Sequence, residues 1–160
     1  MSFYQFIHSG SYVKIIVKDI PEKPGVIANI SKILSSHGIN IFTIKHSVHT
    51  SESGDIAFTV SKDRAEESIK LMESNLESIG GKRVIFRKDL ALVFIWGEEI
   101  KNLSRFASDI LRALSDQNVE IDSLSIAIEG ITCILPESQY KDAMHAFNKM
   151  FVDEPLISPV

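Results

Sequence analysis

Val13-Lys14-Ile15-Ile16-Val17 is β-branched and partly alternating, a pattern that predicts a strand. The stretch Lys18 to Gly25 then carries two prolines and a glycine, which end it as a loop. Val26, Ile27, Ile30, Ile33 and Leu34 follow at helical spacing, with Gly38 where the helix should stop. Ile39 to Val48 reads as a second strand, and Thr50 to Asp55 as the turn leaving it. Ile56, Phe58 and Val60 alternate with Ala57 and Thr59, which predicts a third strand with one buried face. Ala65, Ile69, Met72, Leu76 and Ile79 mark one amphipathic helix closed by Gly80-Gly81, and Val84 to Phe86 a fourth strand. The order is βαββαβ.

The pattern then starts again. Leu90 to Trp96 is an apolar strand, Leu103, Phe106, Ala107, Ile110, Leu111 and Leu114 form a helix stripe, and Val119 to Ile128 and Ile131 to Leu135 read as strands turning at Glu129-Gly130. Tyr140, Ala143, Met144, Phe147 and Phe151 give a last helix. At a shift of 80, Ile30 matches Ile110, Leu34 matches Leu114 and Ile41 matches Ile121, the signature of an internal repeat. The second copy lacks a fourth strand, while Phe3 to Ile7 is strand-like and surplus to the first. The expected fold is α+β: two ferredoxin-like βαββαβ modules, the second completed by the N-terminal strand. The modules are 12–88 and 3–9 plus 89–153, with 154–160 as a tail, so the first is an insertion in the second. Each is small enough that its core is marginal alone, and edge strands need cover, so a homodimer or higher oligomer is expected.

Composition narrows the function. The chain has 160 residues, 44% of them hydrophobic, and a formal charge of −4 from 17 basic and 21 acidic residues that are scattered along it. That distribution offers no basic patch for nucleic acid. The apolar runs are too short to span a bilayer, and the first residues lack the pattern of a secretory signal. A single cysteine, Cys133, excludes an internal disulfide framework and suits a reducing cytoplasm.

Candidate chemistry is sparse. The sequence has no phosphate-binding glycine loop, no metal-ligand spacing and no implied cofactor. His46 and His49 are three residues apart on a strand and so point to opposite faces, reading as solvated residues. Cys133 lies in an apolar run and reads as core. The informative stretch is Asp19 to Ala28. Pro24-Gly25 precedes a helix start, where unpartnered N–H groups and a partial positive charge can receive a carboxylate. Asp19, at the end of the preceding strand, is placed to meet an ammonium group, and Asn40, expected at the same end of the sheet, offers a donor and an acceptor. A free α-amino acid fits that description; a plain Pro-Gly turn with a solvated Asp19 fits the same residues.

The run Val17 to Ala28, followed by Gly38-Ile39-Asn40-Ile41, resembles the ACT domain, a regulatory amino-acid-binding module. Gly54 to Val60 is similar to the third strand of the first ACT module in aspartate kinases, and the likeness extends over about residues 3–153. The resemblance implies a tandem ACT regulatory unit that binds lysine or threonine, without phosphotransferase activity of its own, partnered by a metabolic enzyme such as an aspartate kinase catalytic chain. It adds Val26, Ile27, Ala28, Ile41 and His46 to the ligand-binding set of Asp19, Pro24, Gly25 and Asn40. His46 stands where the family has glutamine, and Glu120 where the second module has asparagine. Gly97 to Arg105 lacks the family's Pro-Gly, which implies no effector site at the second helix start. A stand-alone ACT relative, or a ligand-free dimerisation scaffold, is the alternative.

Overall fold

The computed structural model describes residues 4–8, 11–50, 52–97, 103–128 and 130–150. The chain divides into two compact units, one formed by Tyr12–Lys88 and the other by Met1–Ser11 with Asp89–Val160. Both are α+β and ferredoxin-like.

In the first unit, β2 (Tyr12–Pro21), α1 (Val26–Ser36), β3 (Thr43–Val48), β4 (Ser53–Ser61), α2 (Ala65–Ser74), α3 (Leu76–Ile79) and the start of β5 (Arg83–Gly97) follow in order. Strand order is β3-β4-β2-β5, with β4 antiparallel to both β2 and β3. Val13, Ile15 and Val17 pair with Val60, Phe58 and Ile56, so all six point to one face. There they bury against Ile30, Leu34, Met72 and Ile79 from the helices.

The other unit contains β1 (Tyr4–His8), the rest of β5, α4 (Leu103–Asp116), β6 (Ser123–Ala127), β7 (Gly130–Pro136) and α5 (Tyr140–Met150). β1 pairs antiparallel with β5, Tyr4 opposite Gly97, and β5 with β7, which continues to β6. The N-terminal strand therefore occupies the fourth-strand place of the second module, as the strand count predicts. Val93, Ile95, Ile131, Cys133 and Leu135 pack with Ile110, Leu114 and Phe147.

Helix endings repeat as faithfully as the core. After α1, Ile39 N–H donates to Leu34 O (3.0 Å) and Gly38 N–H to Ser35 O (3.0 Å), with Gly38 at φ 66°. After α4, Val119 N–H donates to Leu114 O (2.9 Å) and Asn118 N–H to Ser115 O (2.9 Å), with Asn118 at φ 53°. Both are left-handed caps that satisfy otherwise orphaned carbonyls, and asparagine is the side chain that best tolerates glycine's role there.

Several boundaries differ from expectation. The first strand runs on to Pro21 because a bulge between Val17 and Ile20 absorbs Asp19, at φ 55°, without ending the pairing. β3 begins at Thr43 rather than Ile39, and β6 at Ser123 rather than Val119, since in each copy the residues after the helix form its cap. The helix expected over 65–79 breaks at Asn75, whose side-chain Nδ2 and N–H both donate to Leu71 O. The expected strands over 84–86 and 90–96 are one continuous strand, β5. The Glu129 turn residue, Phe3, Phe151 and the 154–160 tail lie outside the described residues.

Candidate functional site

A cleft of about 360 Å³ opens where β2 hands over to α1. Pro21, Glu22, Lys23, Pro24, Gly25 and Ile27 line it from the chain that makes the turn, with His46 of β3 and Ile56 of β4 opposite. Its size falls in the range of small-molecule sites. Gly25 takes φ 94°, a left-handed conformation that side-chain-bearing residues avoid, and it is the residue from which α1 departs. No side chain caps α1. Asn29 N–H donates to Gly25 O (2.9 Å), and among the described residues the N–H groups of Val26, Ile27 and Ala28 have no partner. Val26 is buried and anchors the helix, whereas Pro24, Gly25, Ile27 and Ala28 are exposed. The first turn thus presents free donors and the positive end of an 11-residue helix dipole to open space.

The same cleft is lined by an acid that sequence reasoning missed, Glu22. Glu22 Oε1 lies 2.8 Å from His46 Nε2, and Glu22 N–H is tied to Glu52 O at 3.1 Å. Gly54 on β4 makes the room. A Cβ there would collide with Glu22 Oε1 and sit 2.5 Å from Ser47 O and 3.2 Å from His46 Nε2. The available signal was Gly54 opposite Val48 in the register, which sets a side-chain-free step in the strand beneath the loop.

Asp19 does not line this cleft. Its N–H donates to Asp55 Oδ1 (3.1 Å), and the bulge places it with a second polar cluster. Asp55, 7% exposed, is held by Lys18 Nζ and by His49 Nε2 at 2.6 Å. Burial pushes the Asp55 carboxyl up, but the bonds from Lys18, His49 and the Asp19 amide outweigh it and bring the carboxyl down to about 2. His46 pairs with Ile56 in the ladder and Ser47 with Asp55, so the two clusters sit on opposite faces of the sheet. The histidines do point to opposite faces and both are exposed, as expected, and each also has a carboxylate partner.

Asn40 and Ile41 are placed at the other end of the module, which corrects the expectation that Asn40 shares the Gly25 end. Thr43 pairs with Thr59, which pairs with Lys14 near the start of β2, whereas Val48 pairs with Gly54, which pairs with Ile20 beside the cleft. The length of α1, about 16 Å at 1.5 Å per residue, separates Gly25 from Asn40. Of the expected site residues, Pro24, Gly25, Val26, Ile27 and His46 line the cleft, Ala28 adjoins it on the helix, and Asp19, Asn40 and Ile41 do not.

In the second unit, residues 98–102 before α4 lie outside the described residues. A groove of about 390 Å³ there runs between α4 and α5, lined among others by Asp109, Arg112, Asp116 and Lys149. Glu120 is exposed and its N–H donates to Gln139 Oε1 (2.8 Å). Cys133 is fully buried, and burial pushes its thiol up to about 12, as an inert core residue requires.

Residues 14–79, nearly all of the first unit, match the family model of the ACT domain. The first unit is an ACT domain. The chain that carries this ACT unit is 28% identical over 134 residues to an aspartokinase of Thermus thermophilus, covering 82% of this chain and 33% of that protein. It is 26% identical over 143 residues to an aspartate kinase of Pseudomonas putida, covering 89% and 35%. It thus spans about a third of the length of the curated relatives it matches. Among solved structures it is similar to the ligand-free regulatory subunit of aspartate kinase from Thermus thermophilus, at 27% identity and TM-score 0.80, over 91% of this chain and 96% of that one. A structure of aspartokinase alpha and beta subunits shares the fold, with TM-score 0.82 at 20% identity over 92% and 97%. Along nearly its whole length, then, the chain is similar to the regulatory part of aspartate kinases.

Proposed function

We propose that this chain is a non-catalytic sensor of a free amino acid, working as an aspartate-kinase-like regulatory module in the cytoplasm, and that the Gly25 cleft of its ACT unit receives the ligand. The carrying observation is what one cleft brings together: free N–H groups of Val26, Ile27 and Ala28 at the start of α1, and the Glu22 carboxylate in the same lining. The ligand's carboxylate docks on the helix start, where close approach is unobstructed at Gly25, and its ammonium on Glu22. Glu22 takes the part that sequence reasoning gave to Asp19. Asn40, remote within its own module, can join this site only from another copy, which ties sensing to self-association. A ligand held that way favours one arrangement of subunits over another, and a difference of about 1–3 kcal/mol is enough to regulate a catalytic partner. The resemblance to aspartate kinases makes lysine or threonine the first ligands to try and a kinase catalytic chain the first partner.

The test is a melting screen against the twenty amino acids, followed by calorimetry on wild type, Gly25→Val and Glu22→Gln. One or two amino acids are expected to raise the melting temperature, since a ligand that binds only the folded state stabilises it. Both substitutions are expected to weaken binding at least tenfold while circular dichroism stays native. No response to any amino acid would leave a ligand-free scaffold as the function.

A further inference from the structure

The Glu22 carboxylate is engaged before any ligand arrives. His46 Nε2 lies 2.8 Å from Glu22 Oε1, the two side chains are 33% and 17% exposed, and a Cβ at position 54 would overlap the carboxylate oxygen where it meets the ring. We propose that His46 and Gly54 are positioning residues that hold Glu22 at the cleft, and that they make uptake of an ammonium-bearing ligand proton-coupled. This inference rests on the amino-acid reading of the cleft.

Histidine is the side chain whose ordinary titration falls between about pH 5 and 8. While His46 is protonated, Glu22 is in a charge-neutralised pair, and an incoming ammonium must share or break a charge-assisted bond beside another cation. Once His46 is neutral, the ring offers at most an ordinary N–H donor and the carboxylate keeps its full charge for the ligand. Affinity therefore rises with pH across the range in which histidines ordinarily lose their charge, and binding at low pH expels a proton.

Among the described residues that line the cleft, the other charged group is Lys23, from the same loop as Glu22, while Glu52 holds the Glu22 amide through its backbone carbonyl. Lysines and carboxylates ordinarily titrate outside this window. On β3, Ile44 and Val48 flank His46 on its own face, and from β4 and α1 the cleft receives Ile56 and Ile27, all uncharged. Lys18, His49 and Asp55 belong to the opposite face. Among the described residues that line the cleft, His46 is the one imidazole.

Calorimetry on the full chain between pH 5.5 and 8.0 tests this, with L-lysine, L-threonine and any further amino acid that the melting screen selects as probes. Wild type is expected to bind severalfold more tightly at pH 7.5 than at pH 5.5, the direction that loss of an imidazolium beside the Glu22 carboxylate produces. It is also expected to release protons at the lower pH, read as a heat that varies with the buffer's ionisation enthalpy. His46→Gln, which keeps a hydrogen-bond donor but cannot titrate, is expected to bind with less than a twofold change over the range. Gly54→Ala, if folded by circular dichroism, is expected to flatten the profile as well. Binding that is flat with pH in wild type, or equally steep in His46→Gln, overturns the proton coupling and leaves the amino-acid reading standing. No binding of any probe at any pH overturns both.

Discussion

His46 and Ile126 hold the same place in two copies of one strand pairing, His46 opposite Ile56 and Ile126 opposite Ile131. One step away, Asp55 opposite Ser47 corresponds to Gly130 opposite Ala127. In the first unit these positions carry the cleft's histidine and the buried carboxylate. In the second they carry an apolar residue that is 48% exposed and a glycine whose missing side chain clears Ile95 O. The apolar stripe and the helix caps survive duplication almost residue for residue, while the polar groups at the loop end do not. Packing and capping are thus what the fold requires, and the Glu22, His46 and Asp55 clusters are additions particular to one copy.

If the skeleton is common to both copies, damage to it should cost the same in each. Leu34→Ala and Leu114→Ala, at matched and fully buried positions, are each expected to lose about 3 kcal/mol in urea unfolding. Trp96, the only tryptophan, reports the second unit by fluorescence, and circular dichroism reports both. Costs differing by more than a factor of two would break the equivalence.

The next effect should be confined to the first unit. The Asp55 carboxyl sits at about 2 in the folded state against an ordinary 3.8. As pH falls, the unfolded chain takes up this proton first, so the stabilisation is complete above pH 3.8 and is lost as pH drops through about 2. At 1.36 kcal/mol per unit that shift is worth about 2 kcal/mol. Asp55→Asn is expected to lose that amount at pH 7 and to converge on wild type in acid, as urea midpoints across the range would show. A constant difference at every pH would assign the loss to shape rather than charge.

The smallest effect sharpens the likeness of the caps. Gly38→Ala is expected to cost about 1 kcal/mol, because alanine resists the left-handed conformation. Asn118→Gly should be neutral or stabilising by a few tenths of a kcal/mol, since glycine suits that conformation better still. Melting temperatures of the two variants, moving in opposite directions or with Asn118→Gly unmoved, would confirm one shared cap.

Much of this fold was legible because its signals are local or periodic. The Ile30/Ile110 and Leu34/Leu114 matches, the stop at Gly38 and the surplus strand before residue 9 each express a constraint that acts along the chain. What escaped depends on register. The bulge at Asp19 carries its strand past the residues that looked like a loop, and moves Asp19 from the cleft to Asp55. Asn40 looked close to Gly25 because a strand was read from Ile39, but the cap at Gly38 and Ile39 delays β3 until Thr43 and leaves Asn40 at the far end. Glu22 was hidden between two prolines, as it becomes a site residue only when Gly54 and His46 arrive from strands more than twenty residues away.

The pairing of Tyr4 with Gly97 also has a consequence for synthesis. About 90 residues separate the partners, so at 5–20 residues per second a ribosome needs about 5–20 s to supply the second after the first. Tyr12–Lys88 is translated in that interval, and Tyr4–His8 spends it as a nascent segment with bare amides and carbonyls. Slow codons or a sluggish ACT unit would lengthen that exposure and invite pairing between neighbouring chains on one messenger.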